Sequence, residues 1–338
     1  MTEPHAHGVV CAPADYRPRW WLPDGHSQTL WAALARRPPL PPITRERLEL
    51  PDGDFLDLVH AGDPAQPGVL ILHGLEGSLD SPYVRALLTA ITAQGWYGVL
   101  MHFRGCSGEF NRMPRNYHSG DTRDLITVLA ELHARHPTRP LAAVGYSMGG
   151  NVLLKYLGET GTNAGVVAAA AVSVPFELGR AADRLNRGFS RVYQRHLVGS
   201  LQRKVRAKAA RMAYPIDLTQ LEQWRDFHTY DERVTAPLHG FRDAADYYGR
   251  SSCRQFLRHI AVPTLLVHAA DDPFLPTDAI PVASDLAPSV RLELAARGGH
   301  VGFMARRRRG GAHAWLEQRL IDFLSTQLPA GISGESRG

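Results

Sequence analysis

One serine of the sequence lies in a setting that suits a nucleophile. Residues 145–149 read GYSMG, which has the pattern GxSxG. They follow an apolar run typical of a buried strand and precede an amphipathic run typical of a helix. A sharp turn at this point holds the serine hydroxyl exposed above the sheet, and flanking glycines avoid clashes with the strained backbone. We therefore predict that Ser147 is a nucleophile rather than a helix-capping serine in a glycine-rich turn.

A serine hydroxyl is a poor nucleophile near neutral pH, so a base must activate it. In hydrolases with this turn, the acid and then the histidine follow the nucleophile along the chain, in loops after later strands. Of the 16 histidines, His300 fits this order, because it follows a predicted strand at 290–294 in the loop ARGGHVGF. The alternative for His300 is a histidine in a surface loop.

Two neighbouring aspartates are candidates for the acid that orients the base. Asp271 and Asp272 follow the preceding predicted strand, at 264–269, in the segment DDPFLP. The proline-containing turn favours Asp272, and Asp271 stays open as the alternative. The chosen carboxylate would hold the imidazole tautomer and stabilise the imidazolium without taking the proton itself.

Attack by Ser147 on a carbonyl creates an oxyanion, which needs backbone donors. The N–H of Met148, directly after the nucleophile at a predicted helix N-terminus, is one candidate. The N–H of Leu75, after the His-Gly pair that ends the first central strand, is the other. The sequence contains no HxxxH or HExxH pair and no glycine-rich phosphate loop, so we expect neither a metal nor a cofactor.

Composition and charge are those of an ordinary globular protein, since 44% of the 338 residues are hydrophobic and 21% are charged. The net charge of +5 raises the question of a nucleic-acid partner. The basic runs at 203–211 and 306–309 are typical of solvated faces, however, and we expect no such partner. Three widely spaced cysteines and the absence of a signal-peptide pattern predict a cytoplasmic protein.

Hydrophobic patterning predicts the elements that must position these residues. An irregular arm covers 1–45, with a short helix over 27–36 that Ser27 caps, and a β-hairpin turns at Asp52-Gly53 within 48–60. Short apolar runs then alternate with amphipathic ones, which predicts a mostly parallel, doubly wound sheet. The predicted strands lie at 69–74, 98–103, 141–146, 166–174, 264–269 and 290–294, and the predicted helices at 83–94, 121–136, 149–158 and 313–327.

One segment interrupts the alternation. Between residues 176 and 260 helical periodicity continues without a convincing strand, which predicts an insertion. The predicted division is an arm (1–45), an α/β core (46–175 and 261–328), a helical insertion (176–260) and a disordered tail (329–338).

Eight segments occur in the same order as in one known family. They are DGHSQTLW (24–31), LHGLEGS (72–78), HFRGCSGEFNR (102–112), YHSGDTRDL (117–125), GYSMGGN (145–151), FHTYDERVTAPLHGF (227–241), DDPFLP (271–276) and GGHVGF (298–303). Together they resemble the YheT-like α/β-hydrolases, carboxylesterases whose eukaryotic relatives include lipid hydrolases of the abhydrolase-domain type. The resemblance implies the α/β-hydrolase fold, a triad of Ser147, Asp272 and His300, and a cap formed by the insertion. The four arginines at 306–309 depart from the family pattern.

The resemblance also places two loops near the mouth of the site. Arg104 and Asn111 are therefore candidates for substrate contact, and bracing of the loop after its strand is an equal alternative.

Three functional hypotheses follow from the sequence. The leading one is a cofactor-free serine hydrolase that acts through an acyl-enzyme on short to medium acyl esters or lipids. Acyl transfer to an alcohol would use the same triad. A binding protein on a hydrolase scaffold would require a damaged triad, whereas all three members are present. The expected partner is a small-molecule ester; peripheral membrane contact and the oligomeric state remain open.

Overall fold

The computed structural model describes residues 7–305 and 314–330. Its strands are β1 (Val9–Cys11), β2 (Ile43–Glu49), β3 (Phe55–Ala61), β4 (Gly68–Leu72), β5 (Tyr97–Met101), β6 (Leu141–Tyr146), β7 (Ala168–Val172), β8 (Thr264–Ala269) and β9 (Val290–Ala295). Its α-helices are α1 (Gly25–Leu34), α2 (Pro82–Ala93), α3 (Arg123–Arg135), α4 (Met148–Thr160), α5 (Leu178–Leu185), α6 (Ser190–Ala209), α7 (Phe227–Tyr230), α8 (Ala236–His239), α9 (Ala244–Ser251) and α10 (Trp315–Leu324).

The strands form one sheet in the order β1-β9-β8-β7-β6-β4-β5-β3-β2. Neighbours from β5 to β1 along this order are parallel, and β2 and β3 form an antiparallel hairpin that joins β5. All six core strands predicted from the apolar runs are present, and so is the hairpin. The predicted doubly wound, mostly parallel sheet is confirmed.

Apolar cores cover both faces of the sheet. Along β4, Leu70 and Leu72 pack with α3 and α4, whereas Val69 and Ile71 pack with α2 and α10. This alternation follows from the period-2 geometry of a strand, because successive side chains point to opposite faces. Burial on both faces explains why these strands are continuous apolar runs.

The N-terminal segment is more ordered than the predicted irregular arm. Strand β1 pairs in parallel with β9, with Val10 opposite Leu292. Helix α1 begins at Gly25, and Asp24 rather than Ser27 is its N-cap, because the Asp24 carboxylate accepts the N–H of Ser27 at 2.8 Å. Ser27 bonds back to Asp24, so the two residues form a reciprocal capping box.

The segment between β7 and β8 contains helices α5 to α9 and no strand, and all of its residues are described. It has its own apolar cluster, whose buried members are Val198, Leu201, Val205, Leu221, Trp224, Tyr230 and Val234. The boundaries at 176 and 260 stay a prediction.

Two predicted features lie wholly or mostly outside the described residues. They are the arginine run at 306–309 and the tail from residue 331 onward. Within the described part of the chain, no helix is both long and apolar enough to span a bilayer.

Candidate active site

Ser147 lies at the turn between β6 and α4, with φ of 49° and ψ of −118°. This backbone is strained for a residue with a Cβ atom, and the carbonyl of Val172 holds its N–H at 2.8 Å. Both flanking glycines are needed, because a Cβ at Gly149 would lie 2.4 Å from the carbonyl oxygen of His73, and one at Gly145 would lie 2.6 Å from that of Gly149. The GxSxG segment therefore forms a tight turn that leaves the serine partly exposed.

His300 lies in the loop after β9, within hydrogen-bond distance of both predicted partners. Its Nε2 is 2.9 Å from Ser147 Oγ, and its Nδ1 is 2.9 Å from Asp272 Oδ2. The ring of Phe274 stacks on the imidazole at a centroid distance of 3.9 Å, and the backbone N–H of His300 is donated to Thr29 Oγ1 at 2.8 Å. Ring and backbone of the histidine are thus both held in place.

Asp272, which the sequence favoured, and Asp271, its alternative, have different contacts. Asp272 faces the imidazole and also accepts the N–H of Phe274 at 2.8 Å. Burial alone would raise the pKa of Asp272, but His300, His268 and the N–H of Phe274 together outweigh burial and hold this pKa below its usual value. Asp271 instead accepts the N–H groups of Gly298 and Gly299, at 2.8 and 2.9 Å. It therefore shapes the loop that carries the histidine.

The two residues predicted to supply the oxyanion donors, Leu75 and Met148, both lie close to the nucleophile. Met148 is the first residue of α4, where the helix dipole favours negative charge. Leu75 follows Gly74, and a Cβ at Gly74 would lie 3.3 Å from the Cβ of Ser147, so this loop passes directly against the serine. Both Leu75 and Met148 line the same cavity as Ser147.

Glu76 ties the loop that carries Leu75 to helix α6, a contact that the sequence analysis did not predict. Its Oε1 accepts from the Tyr117 hydroxyl at 2.7 Å and from Lys204 Nζ at 2.5 Å. Its Oε2 accepts from the Ser200 hydroxyl at 2.9 Å. Glu76 itself has a φ of 56°, so these bonds hold a strained backbone in place.

A cavity of about 620 Å³ opens beside the nucleophile. Its walls come from the core, from α1 of the arm and from the helices between β7 and β8, and most of them are apolar. Apolar residues supplied by the segment between β7 and β8 are Leu178, Ala181, Ala182, Leu185, Val192, Leu197, Leu201, Phe227, Val234 and Leu238. Such a cavity suits an apolar ligand with its reactive group at the serine.

Arg104 and Asn111 do not line this cavity. Arg104 donates to Asp124 at 2.7 and 2.8 Å, and to Asp52 and Asp54 at 2.8 and 2.9 Å. Asn111 donates to Asp54 at 2.7 Å. Both side chains are buried, and their donors are used within the chain, so the structure gives them the bracing role that was the alternative to substrate contact.

Part of the basic run at 203–211 is also buried, contrary to the solvated face that we expected. Lys208 is fully buried, and its Nζ donates to oxygens that include the side chains of Asn111 and Asn116, both at 2.8 Å. Burial lowers the pKa of Lys208 to about 8, so the ammonium form still predominates at neutral pH. This lysine joins α6 to the loop that continues into the cavity wall.

Two side chains from one loop, His118 and Asp121, meet a third from α8, His239, beside the cavity. The ligand atoms of His118, Asp121 and His239 lie within 4.8 Å of one another. Two of the three side chains already have partners within the chain. Gly120 donates its N–H to His118 Nδ1 at 3.1 Å, and the Asp121 carboxylate pairs with arginines, including Arg115 at 3.2 Å. A neutral histidine whose Nδ1 accepts a hydrogen bond carries its proton on Nε2. His118 therefore does not offer Nε2 to a metal.

Comparison with known proteins identifies the family. The family model for the alpha/beta hydrolase fold matches residues 67–306. The chain is 45% identical over 329 residues to YheT of Escherichia coli (strain K12), provisionally named an esterase, and the match covers 94% of this chain and 95% of that protein. The chain belongs to the YheT-like α/β-hydrolases.

More distant relatives of this α/β-hydrolase carry lipid-hydrolase names. The mouse protein named phospholipase ABHD3 is 30% identical over 300 residues, with 86% of this chain and 73% of that protein covered. The monoacylglycerol lipase of Saccharomyces cerevisiae is 30% identical over 271 residues, with 78% and 60% covered. A solved esterase from Pyrococcus furiosus, Pf2001, shares the fold at a TM-score of 0.56 and 15% identity, covering 86% of this chain and 100% of that one. The hydrolase is therefore esterase- or lipase-like.

Proposed function

We propose that this hydrolase cleaves carboxylic esters through an acyl-enzyme on Ser147. The observation that carries the proposal is the hydrogen-bond chain from Ser147 Oγ through His300 to Asp272, with 2.9 Å at each step. The chain ends at a strained serine on the wall of a largely apolar cavity. This arrangement has the geometry of a nucleophile, a general base and the acid that orients the base.

The chemistry follows from the contacts. With the Nδ1 proton donated to Asp272, Nε2 of His300 accepts the Ser147 proton as Oγ attacks the ester carbonyl. Asp272 stabilises the imidazolium, and the N–H groups of Leu75 and Met148 stabilise the oxyanion. The imidazolium then protonates the leaving alcohol, which leaves the acyl group on Ser147. Water activated by His300 releases the carboxylic acid and restores the serine.

The proposed substrates are short to medium acyl esters, including those of lipids. Apolar walls stabilise an acyl chain by about 0.8 kcal/mol for each buried methylene, until the cavity is filled. The apolar lining of the cavity supports this class, and the lipid-hydrolase names of the relatives agree with it. An alcohol in place of water would use the same groups and give acyl transfer.

The test measures kcat/KM for p-nitrophenyl acetate, butyrate, octanoate and palmitate. We expect a severalfold rise for each added pair of carbons up to a maximum, followed by a fall. A fluorophosphonate probe should label Ser147, as peptide mapping would show. Rates independent of chain length would contradict the acyl cavity, and labelling elsewhere would contradict the nucleophile.

A further inference from the structure

Six of the twelve exposed large apolar side chains of the described residues come from residues 20–34 of the arm and from the start of α6. Every exposed Trp and Phe of the described residues lies in the arm or directly before α6. Trp20 is 83% exposed and Leu34 is 67% exposed. Single exposed apolar side chains are common, but a contiguous group of them marks an interaction site. We call this set the arm–cap patch; its members are Trp20, Trp21, Trp31, Leu34, Phe189 and Val192.

The patch is continuous around the opening of the cavity. Leu34 of α1 and Val192 of α6 are both exposed and both line the cavity, so the cavity reaches the surface between them. Trp31 contacts Trp21 at a ring-centroid distance of 4.7 Å. On the other side, His26 of α1 contacts Phe189 at 4.9 Å and so joins the arm to the second half of the patch.

Arginines without an acidic partner border the patch. Arg187, Arg191 and Arg195 are exposed, and among the described residues their guanidinium groups form no hydrogen bond or ion pair. Arg195 neighbours both Arg191 and Val192 on the surface of α6, because it follows them by four and three residues. Arg37, just after α1, adds another exposed charge whose bond goes only to the carbonyl of Arg36.

The combination points to a lipid surface. Tryptophan side chains favour the headgroup region of a bilayer, and arginines are attracted to anionic headgroups. In a two-fold dimer the same surface of both copies forms the interface, so a dimer through this patch would bring the unpaired arginines of both copies into one interface. We propose that the arm–cap patch binds the surface of a bilayer that contains anionic phospholipid. The cavity then opens toward the lipid rather than toward water.

Co-sedimentation with sucrose-loaded vesicles tests this proposal. We expect binding to vesicles in which phosphatidylglycerol replaces a third of the phosphatidylcholine, and much weaker binding to phosphatidylcholine alone. The double variant Arg191→Glu/Arg195→Glu should bind at least about 30-fold more weakly. Trp20→Ala/Trp31→Ala should also bind severalfold more weakly, and added salt should weaken binding by the wild type.

Matched controls separate the patch from general charge and hydrophobicity. Arg45→Glu/Arg225→Glu makes the same change in net charge elsewhere, and Ile126→Ala removes an exposed apolar group from α3; both should bind like the wild type. Ser147→Ala should bind normally, because the surface contact does not depend on the proposed reaction.

Two results would overturn the proposal. One is equal sedimentation of the wild type and the patch variants, or no sedimentation of either. The other is self-association of the wild type in light scattering, abolished by the patch variants, without vesicle binding; this would assign the patch to a second copy.

Discussion

The Ser147 site and the cluster around Arg104 both join polar side chains from distant parts of the chain, and they differ in what their polar atoms face. In the cluster, Arg104 meets the carboxylates of Asp52, Asp54 and Asp124, and its donors are used within the chain. At the site, Ser147 Oγ has one partner, His300, and otherwise faces a cavity of about 620 Å³. The cluster is closed, and the site is open on one side.

This difference separates stability from reactivity. A charged group whose partners are all internal contributes to holding the fold, and removal of one member leaves the others buried without compensation. A group held on one side and free on the other can form a new bond with a ligand. The two regions therefore predict opposite responses to substitution.

The largest expected effect is on activity at Ser147. Ser147→Ala should lower kcat by about 10⁶-fold, because the nucleophile is lost, with the midpoint of urea unfolding unchanged. Ester hydrolysis and urea denaturation measure the two quantities. Retention of more than a few per cent of the wild-type rate would remove Ser147 from the proposed mechanism.

A smaller effect is expected when the two neighbouring aspartates are compared. Asp272→Asn should lower kcat by about 10⁴-fold, because the amide no longer holds the imidazole tautomer. Asp271→Asn is the matched control; it keeps an oxygen for the N–H groups of Gly298 and Gly299 and should lower kcat far less. Steady-state kinetics of both variants measure the two losses. A larger loss in Asp271→Asn would assign the acid that orients the base to Asp271.

The Arg104 cluster should respond in stability rather than in catalysis. Arg104→Ala should lower the free energy of unfolding by about 3–5 kcal/mol, because Asp54 and Asp124 stay buried without a cation. Arg47→Ala is the control, since Arg47 pairs with Asp57 and Glu109 at the surface and should cost about 1 kcal/mol or less. Urea unfolding measures both losses. Should folded Arg104→Ala lose most of its kcat/KM, the separation of the two regions would fail.

The smallest expected effect concerns a buried acid with neither an arginine nor a histidine bonded to it. Burial raises the pKa of Asp231 to about 6, although the hydroxyls of Thr235 and Tyr248 donate to it at 2.6 and 2.8 Å. The folded state therefore binds a proton more tightly than the unfolded state, and stability should fall as pH rises from about 4 to about 6.

Asp231→Asn removes this titration. The free energy of unfolding of the variant minus that of the wild type should increase by up to about 3 kcal/mol between pH 4 and pH 7. Urea unfolding at both pH values checks it. An equal difference at the two pH values would show that burial does not raise the pKa of Asp231. The contrast with Asp272, whose pKa is lowered beside His300, would then be lost.

Much of the fold follows from patterns that are local in the sequence. The strands of the parallel sheet are short apolar runs, and the turn at Ser147 is marked by glycines whose Cβ atoms would collide with the neighbouring backbone. Steric and periodic signals of this kind can be read within a short window of the sequence. They are sufficient to predict the sheet and to select Ser147, and the order of the later strands and loops then selects His300.

Contacts between distant segments are not readable in this way. The bond from His300 to Thr29 spans 271 residues, and Glu76 reaches Lys204 over 128. Arg104 shows the same limit, because its motif fits a substrate contact or a brace equally well until the positions of Asp52, Asp54 and Asp124 are known.

The sequence by itself therefore determined the class of sheet, the position of the nucleophile and the order of its partners, since backbone sterics and hydrophobic periodicity act over a few residues. Only the tertiary structure decided which of two adjacent aspartates meets the imidazole and which charged groups are closed off. It also decided that the arm and α6 surround one opening. These outcomes depend on how distant segments pack together, because the packing sets which polar atoms find partners within the chain and which face a cavity or solvent.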